Sequence, residues 1–191
     1  MVINDKYTSF AELQAGEILN EDYSVNLRAR PGARALIIAP HGGSIEIGTS
    51  ELATLIAGAE HSLFTFDGHK PRGRNRDLHI TSHNFDHPEC VALAARHAVV
   101  LAVHGCRGDA SQIYVGGLDE ELSALLTHRL NTAGFPATSA GHIYPGRNRL
   151  NICNRGARGR GAQLELTADL RIPEKSALIA PVVRSALAEY S

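Results

Sequence analysis

The chain has 191 residues, of which 43% are hydrophobic, and carries a formal net charge of -1. This length and apolar content suffice for one well-buried core, so we expect residues 1–191 to form a single domain. The near-neutral charge argues against a nucleic acid partner. No apolar run approaches the roughly 20 residues that span a bilayer, and the start MVINDKYTSF lacks the features of a signal peptide. We therefore expect a cytoplasmic protein without membrane contact.

Apolar strand-like runs alternate with helix-like segments along the chain. The capping box from Ser9 to Glu12 predicts a first short helix. Strands are predicted near residues 34–39, 62–66, 98–103, 112–115, 135–138 and 162–167, and helices at about 49–58, 88–97, 119–133 and 173–189. This alternation is typical of an α/β fold, in which an open, mostly parallel or mixed sheet is flanked by helices on both faces.

The stretch ALIIAPHGGSIEIGTSELA, residues 35 to 53, contains the first candidate metal ligands. Its apolar run is closed by Pro40 and predicts a buried strand, after which His41 leaves the sheet. The loop that follows carries Glu46 before the next helix begins. Loops at the carboxyl ends of strands form the ligand crevice of open α/β sheets. The alternative interpretation is a polar connecting loop with a hydrogen-bonded histidine.

A second histidine has the same local setting. His104 directly follows the apolar run AVVLAV and precedes a glycine, as His41 does. Two such histidines can meet if their strands are near neighbours of like direction, because adjacent strands lie about 4.8 Å apart. Together with Glu46 they would form a set of two histidines and one carboxylate, which is the ligand type of catalytic zinc sites.

Glu165 lies in the run AQLELT, where it shares one side of a predicted strand with Gln163. A buried carboxylate is costly unless it is paired or lies near a cation, so a place beside a metal would explain it. The alternative is an edge strand with one face exposed to water.

The loops near residues 139–161 concentrate arginines among glycines. Such a loop can bind carboxylates through two parallel hydrogen bonds, hold phosphates, or form solvated surface. The loop also defines a non-enzymatic alternative, an anion- or nucleic-acid-binding module. A different enzyme class, a thiol hydrolase using Cys106 or Cys153 with one of the ten histidines, stays open because triads assemble in space. The three cysteines are too few and too scattered for a disulfide framework.

Seven strings along the chain resemble the phage and bacterial poly-γ-glutamate hydrolases and occur in the same order. They are YTSFAEL, IIAPHGGSIEIGTSELA, LHITSHNFD, VHG, IYVGG, NICNRG and QLEL, and they cover roughly residues 7–167. The resemblance implies a peptidase domain akin to the zinc carboxypeptidases, which cleaves γ-glutamyl amide bonds of a γ-linked glutamate polymer or peptide. It further implies that His41, Glu46 and His104 bind one zinc ion per chain, and that Glu165 occupies the place of the catalytic glutamate.

On this basis the sequence predicts metal-assisted amide hydrolysis with Glu165 as the general base. Arg155, helped by Arg147 or Arg158, is predicted to bind the α-carboxylates of the substrate or to stabilise the oxyanion. His79 is predicted to contact substrate or to support a metal ligand.

Overall fold

A seven-stranded mixed sheet forms the centre of the structure, a computed structural model that describes residues 5–190. The strands are β1 (Tyr23–Arg28), β2 (Ala35–Gly43), β3 (Ser62–Gly68), β4 (Val99–Gly105), β5 (Ile113–Gly117), β6 (Ala137–Thr138) and β7 (Ala162–Leu166). They are arranged in the order β1-β3-β2-β4-β7-β5-β6. The four strands β3, β2, β4 and β7 run parallel to one another, whereas β1 and β5 run antiparallel to their neighbours β3 and β7. The predicted mixed sheet is therefore confirmed.

Five α-helices connect or flank the strands. They are α1 (Phe10–Gly16), α2 (Thr49–Ala57), α3 (Pro88–Ala94), α4 (Glu120–Thr132) and α5 (Pro173–Glu189). Every predicted helix and strand is present, with ends that differ by up to four residues. Strand β1 was not predicted, although its sequence YSVNLR alternates as a strand does, because it is a half-exposed edge strand with little apolar content.

Helices cover both faces of the sheet, as predicted. One face carries α2, α4 and α5, and the other carries α1 and α3. Side chains of the central strands alternate between the two cores: Ile37 packs on the first face and Ile38 on the second, and both are fully buried. Each such side chain contributes roughly 1.5–3 kcal/mol by leaving water. The two cores hold the carboxyl ends of the parallel strands in fixed positions, and these ends carry the predicted ligands.

Strand β2 contains a β-bulge near its end. It pairs regularly with β3 up to Ala39, which lies opposite Thr65, and resumes where Gly42 lies opposite Asp67. Three steps along β2 therefore match two steps along β3, so β2 holds one extra residue. The prediction that the strand ends before His41 is wrong, because pairing with β3 continues as far as Gly43. His41 thus lies on a backbone that is part of the sheet.

None of the helices in residues 5–190 has the length and apolar composition needed to cross a membrane. The N-terminal stretch that the sequence analysis compared with signal peptides begins in residues 1–4, which lie outside the described part. Cys90, Cys106 and Cys153 are unpaired and buried.

Candidate active site

His41, Glu46 and His104 meet at the carboxyl ends of β2 and β4. The Nδ1 atoms of the two histidines are 3.1 Å apart. The carboxylate of Glu46 lies beside both nitrogens, with Oε1 3.3 Å from His41 Nδ1 and Oε2 3.7 Å from His104 Nδ1. One ligand atom from each residue lies within 4.8 Å of the other two. The structure therefore brings together the three residues that the sequence predicts as metal ligands.

The hydrogen bonds around the cluster decide which nitrogen of His41 can bind a metal. His41 Nε2 lies 2.8 Å from the carbonyl oxygen of Ile80, which can only accept, so Nε2 carries the proton. Nδ1 of the neutral ring then holds a lone pair directed at His104 and Glu46. Such an outer hydrogen bond is typical of histidine ligands to metals. Two nitrogens and a carboxylate oxygen that face one another at this range fit a divalent cation such as Zn²⁺.

Glu46 is held as a carboxylate. Burial raises its pKa, but the neighbouring His41 and His104 outweigh burial and bring the pKa well below the usual range. The backbone N–H of Gly105 also donates to Glu46 Oε2 at 2.7 Å. The loop residue is therefore fixed against the end of β4 in the ionised form that a metal ligand requires.

Glu165 lies beside the cluster on β7. It is the register partner of His104 on the adjacent parallel strand, so both side chains leave the same face of the sheet. Because β7 lies between β4 and β5, the edge-strand alternative is excluded. Burial raises the pKa of Glu165, and the negative charge of Glu46 raises it further. Gln163 donates to Glu165 Oε1 at 3.2 Å and orients the carboxyl group.

His79 also reaches the cluster. Its ring stacks on His41 with the two centroids 4.1 Å apart, and its Nε2 lies 3.9 Å from Glu46 Oε1. The other nitrogen, Nδ1, lies 2.7 Å from a carboxylate oxygen of Asp5. Burial and the neighbouring His41 lower the pKa of His79 to about 4. The structure therefore places His79 next to His41, one of the predicted metal ligands.

Two of the three predicted substrate arginines are engaged elsewhere. Arg147 donates to Glu120 at 2.8 Å in an exposed ion pair. Arg158 lies over the ring of Tyr190, with its guanidinium carbon 5.3 Å from the ring centroid. The structure does not bring either arginine to the cluster.

Arg155 follows the same pattern. The segment that contains it runs past the amino end of β4, where the N–H of Ala157 donates to the carbonyl of His97 at 2.9 Å. His104 lies at the opposite end of that strand. The same loop comes close to the site at Ile152, whose N–H donates to the carbonyl of Ser82, and the Ser82 hydroxyl lies 3.4 Å from His104 Nε2. Among the hydrogen bonds and ion pairs of residues 5–190, none joins the Arg155 side chain to the cluster.

Arg171 is the arginine that lies at the site, and the sequence analysis missed it. Its Nε donates to the carbonyl of Leu166 at 3.1 Å, and its Nη1 donates to the carbonyl of Ile47. The guanidinium packs on Gly105, where an added Cβ would lie only 2.5 Å from the Arg171 Cζ. The one available signal is its position five residues after the end of β7, at the edge of the sheet that carries the ligands.

The charge of Arg171 acts on both carboxylates of the site. It opposes the rise of the Glu165 pKa. Burial lowers the pKa of Arg171 itself, and the neighbouring Glu46 and Glu165 carboxylates oppose that fall. The two backbone carbonyls occupy only part of the five N–H donors of the guanidinium. Arg171 therefore presents a fixed positive charge with free donors beside the cluster.

The cysteines give little support to a thiol hydrolase. Cys90 and Cys153 are fully buried, and burial raises their pKa. Cys106 lies near the site, but burial and the adjacent Glu165 raise the pKa of its thiol to about 12. A thiol with such a pKa supplies almost no thiolate at neutral pH. Among residues 5–190 no histidine forms a hydrogen bond with a cysteine thiol.

The mixed sheet, which carries the histidine–glutamate–histidine set at the ends of its central strands, has the fold of zinc carboxypeptidase-like structures. A solved structure of a proposed carboxypeptidase A from Shewanella denitrificans has the same fold, with a TM-score of 0.54. It is 15% identical and covers 86% of this chain and 59% of that chain, so it supports the fold alone.

The chain belongs to the poly-γ-glutamate hydrolase family, whose model matches residues 7–175. The solved structure of a bacteriophage poly-γ-glutamate hydrolase is 30% identical with a TM-score of 0.93, and 98% of each chain is covered. The structure of zinc-free YndL is 33% identical with a TM-score of 0.91, covering 98% of this chain and 100% of that chain. These findings confirm the family resemblance of the sequence.

Curated relatives occur in Bacillus subtilis (strain 168). The SPbeta prophage-derived protein YoqZ is 39% identical over 170 residues, which cover 87% of this chain and 60% of YoqZ. The chain therefore spans less than two thirds of the length of this curated relative.

Proposed function

We propose that this chain is a zinc-dependent hydrolase of γ-glutamyl amide bonds, with one zinc ion per chain and poly-γ-glutamate as its substrate. The observation that carries the proposal is the cluster of His41, Glu46 and His104 in a member of the poly-γ-glutamate hydrolase family. Related proteins include a bacteriophage poly-γ-glutamate hydrolase and a protein whose structure is described as zinc-free.

The cluster fits zinc because two imidazole nitrogens and a carboxylate oxygen converge, with one ligand atom of each residue within 4.8 Å of the other two. The lone pairs of two neutral histidines that face each other at 3.1 Å repel unless a proton or a cation lies between them. Zinc, when bound, would polarise the amide carbonyl of the substrate and make a water molecule more acidic.

Glu165 supplies the acid–base chemistry in this proposal. Its paired position beside His104 places a carboxyl group next to the ligands, and its raised pKa suits a group that takes up a proton near neutral pH. It accepts the proton of the attacking water and passes it to the nitrogen of the leaving amine. Gln163 holds one carboxyl oxygen in place through this step.

Arg171 binds the charge of the substrate. In a γ-linked glutamate chain every residue keeps a free α-carboxylate beside its amide bond, so the site that cleaves the polymer must accept a carboxylate close to the scissile carbonyl. The fixed guanidinium against Gly105 is the cation available there. Guanidinium binds carboxylate through two parallel hydrogen bonds, which gives direction as well as charge.

Incubation of the purified chain with poly-γ-glutamate and with α-linked polyglutamate tests this function. We expect cleavage of the γ-linked polymer, its loss after dialysis against a chelator, and its return when zinc is added. Cleavage of the α-linked polymer alone would contradict the substrate, whereas full activity without metal would contradict the zinc requirement.

A further inference from the structure

Asp5 contacts the segment that carries His79 through both of its carboxylate oxygens. Oδ1 lies 2.7 Å from His79 Nδ1, and Oδ2 accepts from the N–H and the hydroxyl of Thr81, each at 2.6 Å. The Asp5 side chain is 8% exposed, so these bonds are shielded from water. Asp5 precedes the residues matched by the family model, which begin at residue 7.

The contact with Asp5 determines which nitrogen of His79 carries the proton. An ionised carboxylate only accepts hydrogen bonds, so His79 Nδ1 must be the protonated nitrogen. Nε2 of the neutral ring is left with a lone pair, and it lies 3.9 Å from Glu46 Oε1. Stacking on His41 fixes the plane of the ring. His79 therefore presents an oriented acceptor at the edge of the cluster.

The second oxygen of Asp5 supports the same segment from its other side. Thr81, which it binds, directly follows Ile80, and the carbonyl of Ile80 accepts the Nε2 proton of His41. Asp5 thus holds the residues on both sides of Ile80 at once. Outer carboxylates that orient histidines near a metal typically change metal affinity or activity 10- to 100-fold when they are replaced.

We propose that Asp5 is a positioning residue that acts through His79. It fixes the Nδ1-protonated form of His79, so that Nε2 accepts a hydrogen bond from a water molecule or a substrate amide N–H held beside Glu46. This role rests on the proposed hydrolase function. Asp5 is then a part of the active site, although it lies 74 residues from His79 in the sequence.

The variant Asp5→Asn tests the proposal, because asparagine has one acceptor oxygen and cannot serve both His79 and Thr81. In the full chain saturated with zinc, we expect kcat on poly-γ-glutamate to fall about 10- to 100-fold while KM changes less than about twofold. In a His79→Ala background the same substitution should cause no further fall. An equal fall in both backgrounds, or an unchanged kcat in Asp5→Asn alone, would overturn the proposal.

Asp86→Asn is the matched control. Asp86 accepts the N–H of Phe10 at 2.6 Å, so it anchors the same N-terminal segment without touching His79. We expect its kcat to stay within about twofold of wild type. A fall as large as that of Asp5→Asn would show that anchoring of the segment, rather than His79, is what matters, and would overturn the proposal.

A second readout does not depend on activity. Nitrogen NMR of the metal-free chain reports which ring nitrogen of each histidine is protonated, and we expect the Nδ1-protonated form of His79 in wild type and a mixture in Asp5→Asn. An Nε2-protonated ring in wild type would overturn the proposal. If wild type fails to cleave poly-γ-glutamate, the proposed function fails while this measurement still decides the role of Asp5.

Discussion

His104 and Glu165 are paired across two adjacent parallel strands, so a predicted metal ligand and the proposed general base are held by the hydrogen bonds of the sheet itself. Neighbouring strands are about 4.8 Å apart, which sets the separation of the two backbones without help from any loop. Sites built on strands keep their geometry better than sites built on loops.

Replacement of Glu165 by glutamine should keep the metal and abolish most of the activity. Gln fills the same space and accepts the hydrogen bond from Gln163, but it cannot take up a proton. We expect kcat to fall about 100- to 10,000-fold, with about one zinc per chain retained. Turnover is measured on poly-γ-glutamate and zinc by elemental analysis. The exposed Glu51→Gln is the control, and undiminished turnover of Glu165→Gln would remove Glu165 from the mechanism.

Replacement of a histidine in the cluster should remove the metal. His41→Ala or His104→Ala leaves two of the three ligands, so we expect zinc to be lost on dialysis, together with activity. The exposed His128→Ala on α4 serves as the control and should retain about one zinc per chain. A wild-type chain that purifies without zinc and does not bind it on addition would refute the metal site.

Gly105→Ala should disable Arg171 without touching it chemically. The new Cβ would overlap the guanidinium, which therefore has to leave its place against residue 105. It can do so because it ends a long side chain with several rotatable bonds. We expect a rise in KM or a fall in kcat/KM of about 10- to 100-fold, since hydrogen bonds to charged groups contribute about 1.5–3 kcal/mol. Arg171→Gln should reproduce this loss.

The exposed Arg149→Gln should leave kcat/KM on poly-γ-glutamate unchanged. If both Gly105→Ala and Arg171→Gln cleave the polymer at the wild-type rate, Arg171 does not bind substrate.

A buried ion pair away from the site should make stability depend on acid pH. Burial raises the pKa of Glu17, but hydrogen bonds from Lys70, Tyr7 and Lys6 outweigh burial and lower the pKa to about 2. Because the folded-state pKa is the lower one, the stabilisation is complete above about pH 4.5 and is lost as the pH falls towards 2.

Denaturant unfolding of wild type and Glu17→Gln at several pH values checks this. The free energy of unfolding of the variant should be lower at pH 7 by about 3 kcal/mol, because Lys70 loses its buried partner. The difference in unfolding free energy between wild type and variant should become smaller below pH 4.5. If the difference in unfolding free energy between wild type and Glu17→Gln does not depend on pH, the pKa of Glu17 is not lowered in the folded protein.

Much of the sheet and the cluster could be predicted because their signals are local. His41 and His104 each follow an apolar run and precede a glycine. A glycine after an apolar run indicates the end of a buried strand, whatever the position of that strand in the sheet. Strand β1 was missed because its burial depends on pairing with β3 rather than on its own composition.

Arg171 and Asp5 could not be predicted in this way. Each reaches the site through contacts between residues far apart in the sequence, such as the bond from Arg171 to Ile47 across 124 residues. For Arg155, a dense cluster of arginines suggested a binding loop. Where the side chains of that loop lie is set by the chain path, which residue composition does not contain.

The β-bulge of β2 determines on which side of the sheet a metal can bind at all. In a regularly paired strand of the same sequence, His41 would follow Ile37 and Ala39 onto the face covered by α2 and α5, whereas His104 lies with Val100 on the opposite face. The bulge lets Pro40 and His41 share the place opposite Phe66, which turns His41 to the face of His104. The ligand set therefore depends on where this strand departs from regular pairing as much as on the identity of its residues, so a β2 strand that pairs regularly through position 41 is expected to fold as a scaffold that cannot bind the metal.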